Sequence, residues 1–170
     1  IRDCLLSRGL GDLYKRQAQL LAEGLGFRVA FEPASGLEVC QREAEAEARA
    51  RQLGLWQQAQ WRSPFDLRRG GFALVRGRIE TVQRNRGGLW LEMDGPLVLR
   101  VEPKLLRHFD AAALQRLVGR EVEARGWVID RSRRGGLQAD QARWLLPLTH
   151  AAMLEAVSYT HLTLPTSDLV

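Results

Sequence analysis

The sequence predicts an α+β protein in which a helical region precedes a small, mostly antiparallel β-structure. Apolar residues recur at intervals of three and four in the first half of the chain and alternate with polar residues in the second half. Proline and glycine separate the two patterns near residues 62–71, which we interpret as a linker. The 170 residues are 45% hydrophobic and 26% charged, and no apolar run reaches the roughly 18 residues of a membrane span. We therefore expect a globular chain with no membrane partner.

Both ends of the chain look like translated sequencing adaptor rather than protein. Residues 7–17 read SRGLGDLYKRQ and residues 157–166 read VSYTHLTLPT, which resemble translations of opposite adaptor strands. We expect residues 1–17 and 157–170 to be non-native, and they take no part in the fold prediction. The native N-terminus would then lie upstream of Ala18, so the cellular compartment is not predicted.

The first region, residues 18–61, is predicted to contain a short helix, a strand at residues 27–31 and a longer helix. Ser35 precedes Glu38 by three residues, the spacing of a capping box, and Gly54 is a suitable C-terminal stop. A helix over residues 36–53 places small apolar residues on one face and glutamates around the other. We interpret the glutamates as a solvated face, because alternate residues point about 200° apart and cannot converge on one ion. They are Glu43, Glu45 and Glu47.

Four segments of this region form a distinctive combination in their order and spacing: AQLLAEGL at residues 18–25, FRVA at 27–30, EAEAEAR at 43–49 and LGLW at 53–56. Together they resemble the C-terminal third of a thermonuclease, or staphylococcal-nuclease-like, domain. This resemblance implies a five-stranded nuclease barrel upstream that carries calcium-binding carboxylates, a general base and phosphate-contacting arginines. None of those motifs is present, and we transfer no role to Arg16.

The resemblance implies a calcium-dependent phosphodiesterase that acts on DNA or RNA, of which this chain is a fragment. Calcium is implied for the intact protein, whereas this chain offers no catalytic and no metal-ligating residue by its motifs. We expect the chain by itself to be inactive as a nuclease, with or without calcium, and to use no small-molecule cofactor.

The second region, residues 72–146, is predicted to be a five-stranded barrel with one helix. Alternating patterns begin at Phe72, Leu89, Leu97 and Val122, and Asp94-Gly95 forms a hairpin turn. A helix is predicted from Pro103 to Gly119, a last strand is predicted over residues 137–145, and residues 147–156 form a tail. Three strands, a helix and two strands are the order of an OB-fold, with an SH3-like barrel or a plain antiparallel sheet as alternatives.

Positive charge is concentrated in the two loops that an OB-fold uses for ligands. Residues 62–146 carry a net charge of +7, against −2 for residues 18–61. An OB-fold binds oligonucleotides across its second and third strands, flanked by the first and last loops, here residues 83–88 and 131–136. We therefore predict a site for single-stranded DNA or RNA, in which tryptophan stacks on a base and arginines contact phosphates. Its members are Arg84, Arg86, Trp90, Arg100, Arg131, Arg133 and Arg134.

Two other interpretations of the same residues stay open. The chain has 23 arginines and only 2 lysines, a bias that a GC-rich gene produces without selection for binding. Trp90 and Trp127 are also suited to packing against a neighbouring domain. The alternative function is therefore a non-catalytic OB-fold binding or scaffold protein that contacts a protein partner, and a further alternative is an inert fragment.

Overall fold

The chain is an α+β protein with a six-stranded sheet, as described by a computed structural model for residues 12–29, 38–135 and 137–157. The described helices are α1 (Asp12–Ala22), α2 (Glu38–Ala50) and α3 (Ala111–Gln115). The strands are β1 (Gly71–Asn85), β2 (Gly88–Met93), β3 (Leu97–Val101), β4 (Glu121–Asp130), β5 (Trp144–Pro147) and β6 (Leu154–Ala156). Short 3-10 turns connect them at Gly54–Gln57, Pro64–Asp66, Pro103–His108, Arg131–Arg134 and Ala151–Met153.

The strand pairings form a closed circuit because β1 pairs with two different strands, β4 and β2. Its first half, residues 71–78, pairs antiparallel with β4, and its second half, from Ile79, pairs antiparallel with β2. A shift of register between Ile79 and Thr81 separates the two halves, and such irregularities let a strand bend. The circuit runs β1, β2, β3, β5, β4 and back to β1, with β3 and β5 parallel. Short β6 adds to the other side of β4.

The main hydrophobic core lies inside this circuit of strands. Alternate residues of β1 to β4 point inward, as the period-2 pattern predicts, and α3 adds Leu114. Trp144, Leu146 and Leu148 of the β5 segment complete the core. Residues at the other positions of each strand therefore lie on the outer face of the sheet, where the charged side chains are found.

The structure corrects several predicted boundaries. The described part of the sheet has six strands rather than five, because residues 154–156 of the predicted tail pair with β4. The strand predicted over residues 137–145 is instead Trp144–Pro147. The helix predicted from Pro103 to Gly119 is instead a 3-10 turn followed by the five-residue α3, whose cap is Asp110. A capping aspartate inside the predicted helix explains this break, since its side chain accepts from the Ala113 N–H at 3.0 Å.

Helix α2 packs on the outer face of the β1–β4 pair and buries a second, smaller core. Ala48, Trp56 and Leu74 are its buried members. Residues 62–71, predicted as a linker, lie against the sheet: the Arg62 N–H donates to the Leu74 carbonyl at 2.9 Å, and Leu67 is buried in the main core. The segment between α2 and β1 therefore contacts the sheet at Arg62 and packs into the main core at Leu67.

Some predictions fall partly outside the described residues. The adaptor-like segments are described only for residues 12–17 and 157, and the capping residue Ser35 is not described. Within the predicted strand at 27–31, residues 27–29 are described and are not in a strand. The domain boundaries themselves stay a prediction.

Candidate nucleic-acid interface

A two-residue turn between β1 and β2 holds the ring of Trp90. Asn85 and Gly88 form the last cross-strand pair, so only Arg86 and Gly87 lie in the turn. The Asn85 Oδ1 atom accepts from the Gly87 N–H at 2.7 Å and from the Trp90 Nε1–H at 2.9 Å. Gly88 has φ +122°, and a Cβ there would collide with the Val101 carbonyl, so the turn requires glycine. One asparagine thus closes the turn and orients the indole.

Two arginines lie against the half-buried Trp90 ring. Arg100 is the direct cross-strand neighbour of Trp90, and its Cζ atom lies 4.9 Å from the ring centroid. The Cζ atom of Arg131, at the end of β4, lies 5.9 Å from the same centroid. Both distances are typical of cation–π contacts. We call Trp90, Arg100 and Arg131 the Trp90 surface.

Backbone and amide acceptors hold both guanidinium groups in place. The Arg100 Nε–H donates to the Gly87 carbonyl at 2.9 Å. Arg131 donates from Nη1 to the Ala142 carbonyl at 2.9 Å and from Nη2 to the Gln141 Oε1 atom at 3.1 Å. These acceptors are uncharged, so both arginines keep a net positive charge that can attract an anion.

The 3-10 turn that follows β4 is held by Asp130. Its Oδ1 atom accepts from the Ser132 N–H at 3.0 Å and from the Ser132 hydroxyl at 2.6 Å, and Arg143 donates to Oδ2 at 2.8 Å. The hydrogen bonds from Arg143 and then from Ser132 hold the pKa of the Asp130 carboxyl well below its usual range. Asp130 is therefore ionised at neutral pH and keeps the base of this loop closed.

Two clefts meet at Trp90, Arg131 and Gln141, and their chemistry differs. The first has a volume of about 310 Å³ and is lined in addition by Glu92 and Asp140 with several amides, so we call it the acidic cleft. The second has a volume of about 240 Å³. We call it the cationic cleft, because it adds Arg100 and the apolar side chains of Ile129, Leu137 and Leu145.

The structure brings together only some of the predicted site residues. Trp90, Arg100 and Arg131 form the Trp90 surface, and Arg86 is exposed at the tip of the adjacent turn. Arg84 pairs across the strands with the core residue Leu89, which places it on the opposite face from Trp90. Arg133 is exposed on the 3-10 turn, and the side chain of Arg134 lies outside the described residues.

A second set of charges lies between α2 and the outer face of β4, and sequence reasoning missed it. Glu45 is buried, and both its carboxylate oxygens accept from the Arg125 Nη1 atom at 2.7 Å. The expectation of a solvated glutamate face is therefore wrong for Glu45, whereas Glu43 and Glu47 are exposed. The sequence does contain a signal for this set of ion pairs, namely charges of opposite sign on the two elements. Glu45 and Arg49 lie one turn apart on the helix, and Arg125 and Glu123 lie on the same face of the strand.

Glu123 is the centre of this second set. Arg49 donates to it through two nitrogens at 2.7 and 2.8 Å, and Arg76 donates to it from the facing strand β1. Burial opposes ionisation, but the hydrogen bonds from Arg49 and Arg76 outweigh it and lower the pKa of the Glu123 carboxyl. Arg28, which follows α1 in the chain, forms a further ion pair: its Nη2 atom lies 3.2 Å from the carboxylate of Glu155 on β6. We call Arg76, Glu123 and Arg125 the helix-covered face.

Comparison with known proteins adds no assignment. No protein-family model matches this chain, and no curated protein matches it. None of the described helices is long and apolar enough to cross a membrane. Within the part of the chain that the structure describes, no three His, Cys, Asp or Glu side chains are grouped so that they could hold a metal ion.

Proposed function

We propose that this chain binds single-stranded DNA or RNA at the Trp90 surface. The observation that carries this proposal is a half-buried tryptophan ring flanked by Arg100 and Arg131, at the meeting point of two open clefts. An aromatic ring gives a base a stacking plane, and arginines supply salt-sensitive contacts to phosphates. Neither arginine is neutralised by a carboxylate in the described contacts, in contrast to Arg125.

We also propose that strands β1 to β5 form an OB-fold-like barrel. The closed circuit of pairings, the double use of β1 and the parallel β3–β5 pair support this assignment. In such a barrel the ligand face is formed by β2 and β3 with the β1–β2 and β4–β5 loops. Trp90 on β2, Arg100 on β3 and Arg131 at the start of the β4–β5 loop occupy those positions.

For residues 18–61 we propose an origin in the C-terminal part of a thermonuclease-like domain, on the sequence resemblance alone. That proposal makes the chain a fragment of a phosphodiesterase that has kept strand binding and carries no catalytic residue. The calcium that the resemblance implies would belong to the intact protein. In this proposal the fragment contributes to holding the strand and not to cutting it.

Arg100 and Arg131 already lie against the Trp90 ring, so a bound strand would contact the ring and these two arginines together. Because Arg131 is fixed only by uncharged acceptors, a phosphate can recruit it at little electrostatic cost. A base then stacks on the indole or on a guanidinium plane, both of which accept the flat face of a base. The site is therefore expected to bind by stacking and charge with modest sequence preference.

A second candidate function is a scaffold that contacts a protein partner. It is favoured by Trp127, which is 61% exposed on the outer face of β4 and lies 5.5 Å, centroid to centroid, from Phe72. Phe72 in turn stacks on Phe27, so the exposed tryptophan ends a row of aromatic side chains. Exposed aromatic residues of this kind are common in protein interfaces.

The salt dependence of binding tests the nucleic-acid proposal. The full-length chain should bind a single-stranded oligonucleotide with an affinity that falls steeply as salt rises. The double substitution Arg131→Ala and Arg133→Ala should flatten the log–log salt slope by roughly 1.4, since each phosphate contact to a single strand contributes about 0.7. Fluorescence anisotropy over a salt series measures this slope.

The matched control is the double substitution Arg51→Ala and Arg116→Ala. It removes the same charge from two exposed arginines, each of which pairs with a carboxylate away from Trp90. This control should keep the wild-type slope. Equal slopes for all three proteins would exclude the loop after β4 as a phosphate-binding site and would favour the scaffold function.

A further inference from the structure

The acidic cleft beside Trp90 has a composition that phosphate binding does not explain. Glu92 and Asp140 line it, and an ionised carboxylate repels phosphate. A nucleotide at Trp90 would therefore place its phosphate towards Arg100 in the cationic cleft and its base towards the carboxylates. The two clefts meet at Trp90, so one nucleotide can reach both.

The acidic cleft offers both acceptors and donors of hydrogen bonds. Glu92 accepts from the Thr81 hydroxyl at 2.8 Å, which uses one of the roughly four lone-pair sites of its carboxylate. Asn85 and Gln141 accept through their side-chain oxygens from Trp90 and Arg131, so their NH2 groups are the parts left to donate. A base edge that fits such a cleft carries an amino group and an adjacent acceptor.

Bases differ in whether they meet this requirement. Cytosine, adenine and guanine carry an exocyclic amino group, which a carboxylate accepts well, whereas uracil and thymine present a carbonyl at the corresponding position. A carbonyl placed against Glu92 or Asp140 would meet an acceptor instead of a donor, so the hydrogen bond that an amino group makes at this position would be lost.

We propose that Glu92 and Asp140 select bases that carry an exocyclic amino group over uracil and thymine at the nucleotide next to Trp90. This inference rests on the proposed nucleic-acid function and names the substrate class of the same site. The carboxylates act as specificity determinants, while Trp90, Arg100 and Arg131 provide affinity that every base shares.

Binding of oligo-dC and oligo-dU of equal length, at neutral pH, tests this selection. The two strands carry the same number of phosphates, so the salt-dependent part of the affinity cancels in their ratio. The full-length chain should bind oligo-dC about tenfold more tightly, which is within the range of one well-made set of hydrogen bonds to a base edge. The double substitution Glu92→Gln and Asp140→Asn should bring the ratio close to one, because an amide can donate to a carbonyl.

The matched control is Glu47→Gln combined with Asp66→Asn, two exposed carboxylates outside the acidic cleft. Loss of negative charge should strengthen binding of both strands equally in the control and leave its preference for oligo-dC unchanged, whereas the test variant should lose the preference. Equal binding of both strands by the wild type, with binding still weakened in Trp90→Ala, would overturn the selection and leave the proposed function standing. No binding of either strand would overturn the proposed function and this inference with it.

Discussion

The Trp90 surface and the helix-covered face use the same side chains in opposite ways. Each contains arginines on the outer face of one sheet, and in each an arginine lies over a tryptophan ring, Trp90 for Arg100 and Trp61 for Arg76. On the helix-covered face, the carboxylates of Glu45 and Glu123 neutralise the buried Arg125 and the partly exposed Arg76. On the Trp90 surface, backbone carbonyls and an amide hold the arginines without neutralising them. The group that accepts an arginine's hydrogen bonds, a carboxylate or an uncharged oxygen, therefore distinguishes a structural arginine from one that is available to a ligand.

Arginines of the two regions are expected to contribute differently to folding stability and to ligand binding. A buried ion pair contributes little over a well-packed apolar pair, but removal of one partner leaves an uncompensated charge. A solvated arginine held by neutral groups costs little when it is removed from the folded chain. Substitutions in the two regions should therefore affect different measurements.

The largest effect is expected from Arg125→Ala on the helix-covered face. It leaves the buried Glu45 carboxylate without its closest cation, which should lower the free energy of unfolding by about 3–5 kcal/mol. Urea unfolding of both proteins measures this change. The control is Glu47→Ala, which removes an exposed carboxylate from the same helix and should change stability by less than about 1 kcal/mol. A similar small loss in both variants would show that the interface between α2 and β4 is not closed in solution.

An intermediate effect is expected from Trp90→Ala on the Trp90 surface. Loss of one stacking plane should weaken binding of a single strand by about 1–3 kcal/mol, or roughly 5- to 150-fold in Kd. The matched control is Trp127→Ala, which removes an exposed tryptophan from the outer face of β4, beside the helix-covered face, and should leave the Kd unchanged. If Trp127→Ala weakens strand binding as much as Trp90→Ala does, the assignment of binding to one of the two regions fails.

The smallest effect is expected from the pH dependence of Glu123. Its folded-state pKa lies below the ordinary value of 4.5, so the unfolded chain takes up the proton first as the pH falls. Its contribution to stability is therefore present above about pH 4.5 and is lost as the pH falls through the folded-state pKa. We expect the difference in unfolding free energy between the wild type and Glu123→Gln to shrink over that range. A difference that stays constant down to low pH would show that Arg49 and Arg76 do not stabilise the ionised carboxylate.

Prediction from sequence succeeded where a local rule decides the structure. Alternation of apolar and polar residues predicted the inward-facing residues of β1 to β4, and periodicity predicted α2 to within a few residues. It also placed Trp90 and Arg100 on the outward face of two strands joined by the hairpin at Asp94-Gly95, and the structure shows that they are direct cross-strand neighbours.

Prediction failed where pairing with a distant segment decides the structure. Strand β5 is only four residues long, and its register comes from pairing with β3 and β4. Strand β6 exists because β4 offers it a free edge, and nothing in the local pattern of residues 154–156 shows that edge. Arg84 was placed in a loop, but β1 continues to Asn85 because the turn needs only two residues.

The sequence by itself determined the α+β class, the inner and outer positions of the main strands and the excess of arginine in the second region, since each depends on neighbours along the chain. Only the tertiary structure decided which arginines are neutralised. A carboxylate 80 residues away pairs with Arg125, whereas Arg100 meets the carbonyl of a nearby turn. Charge is a property of a residue, but its availability to a ligand depends on which groups the fold brings within hydrogen-bond distance.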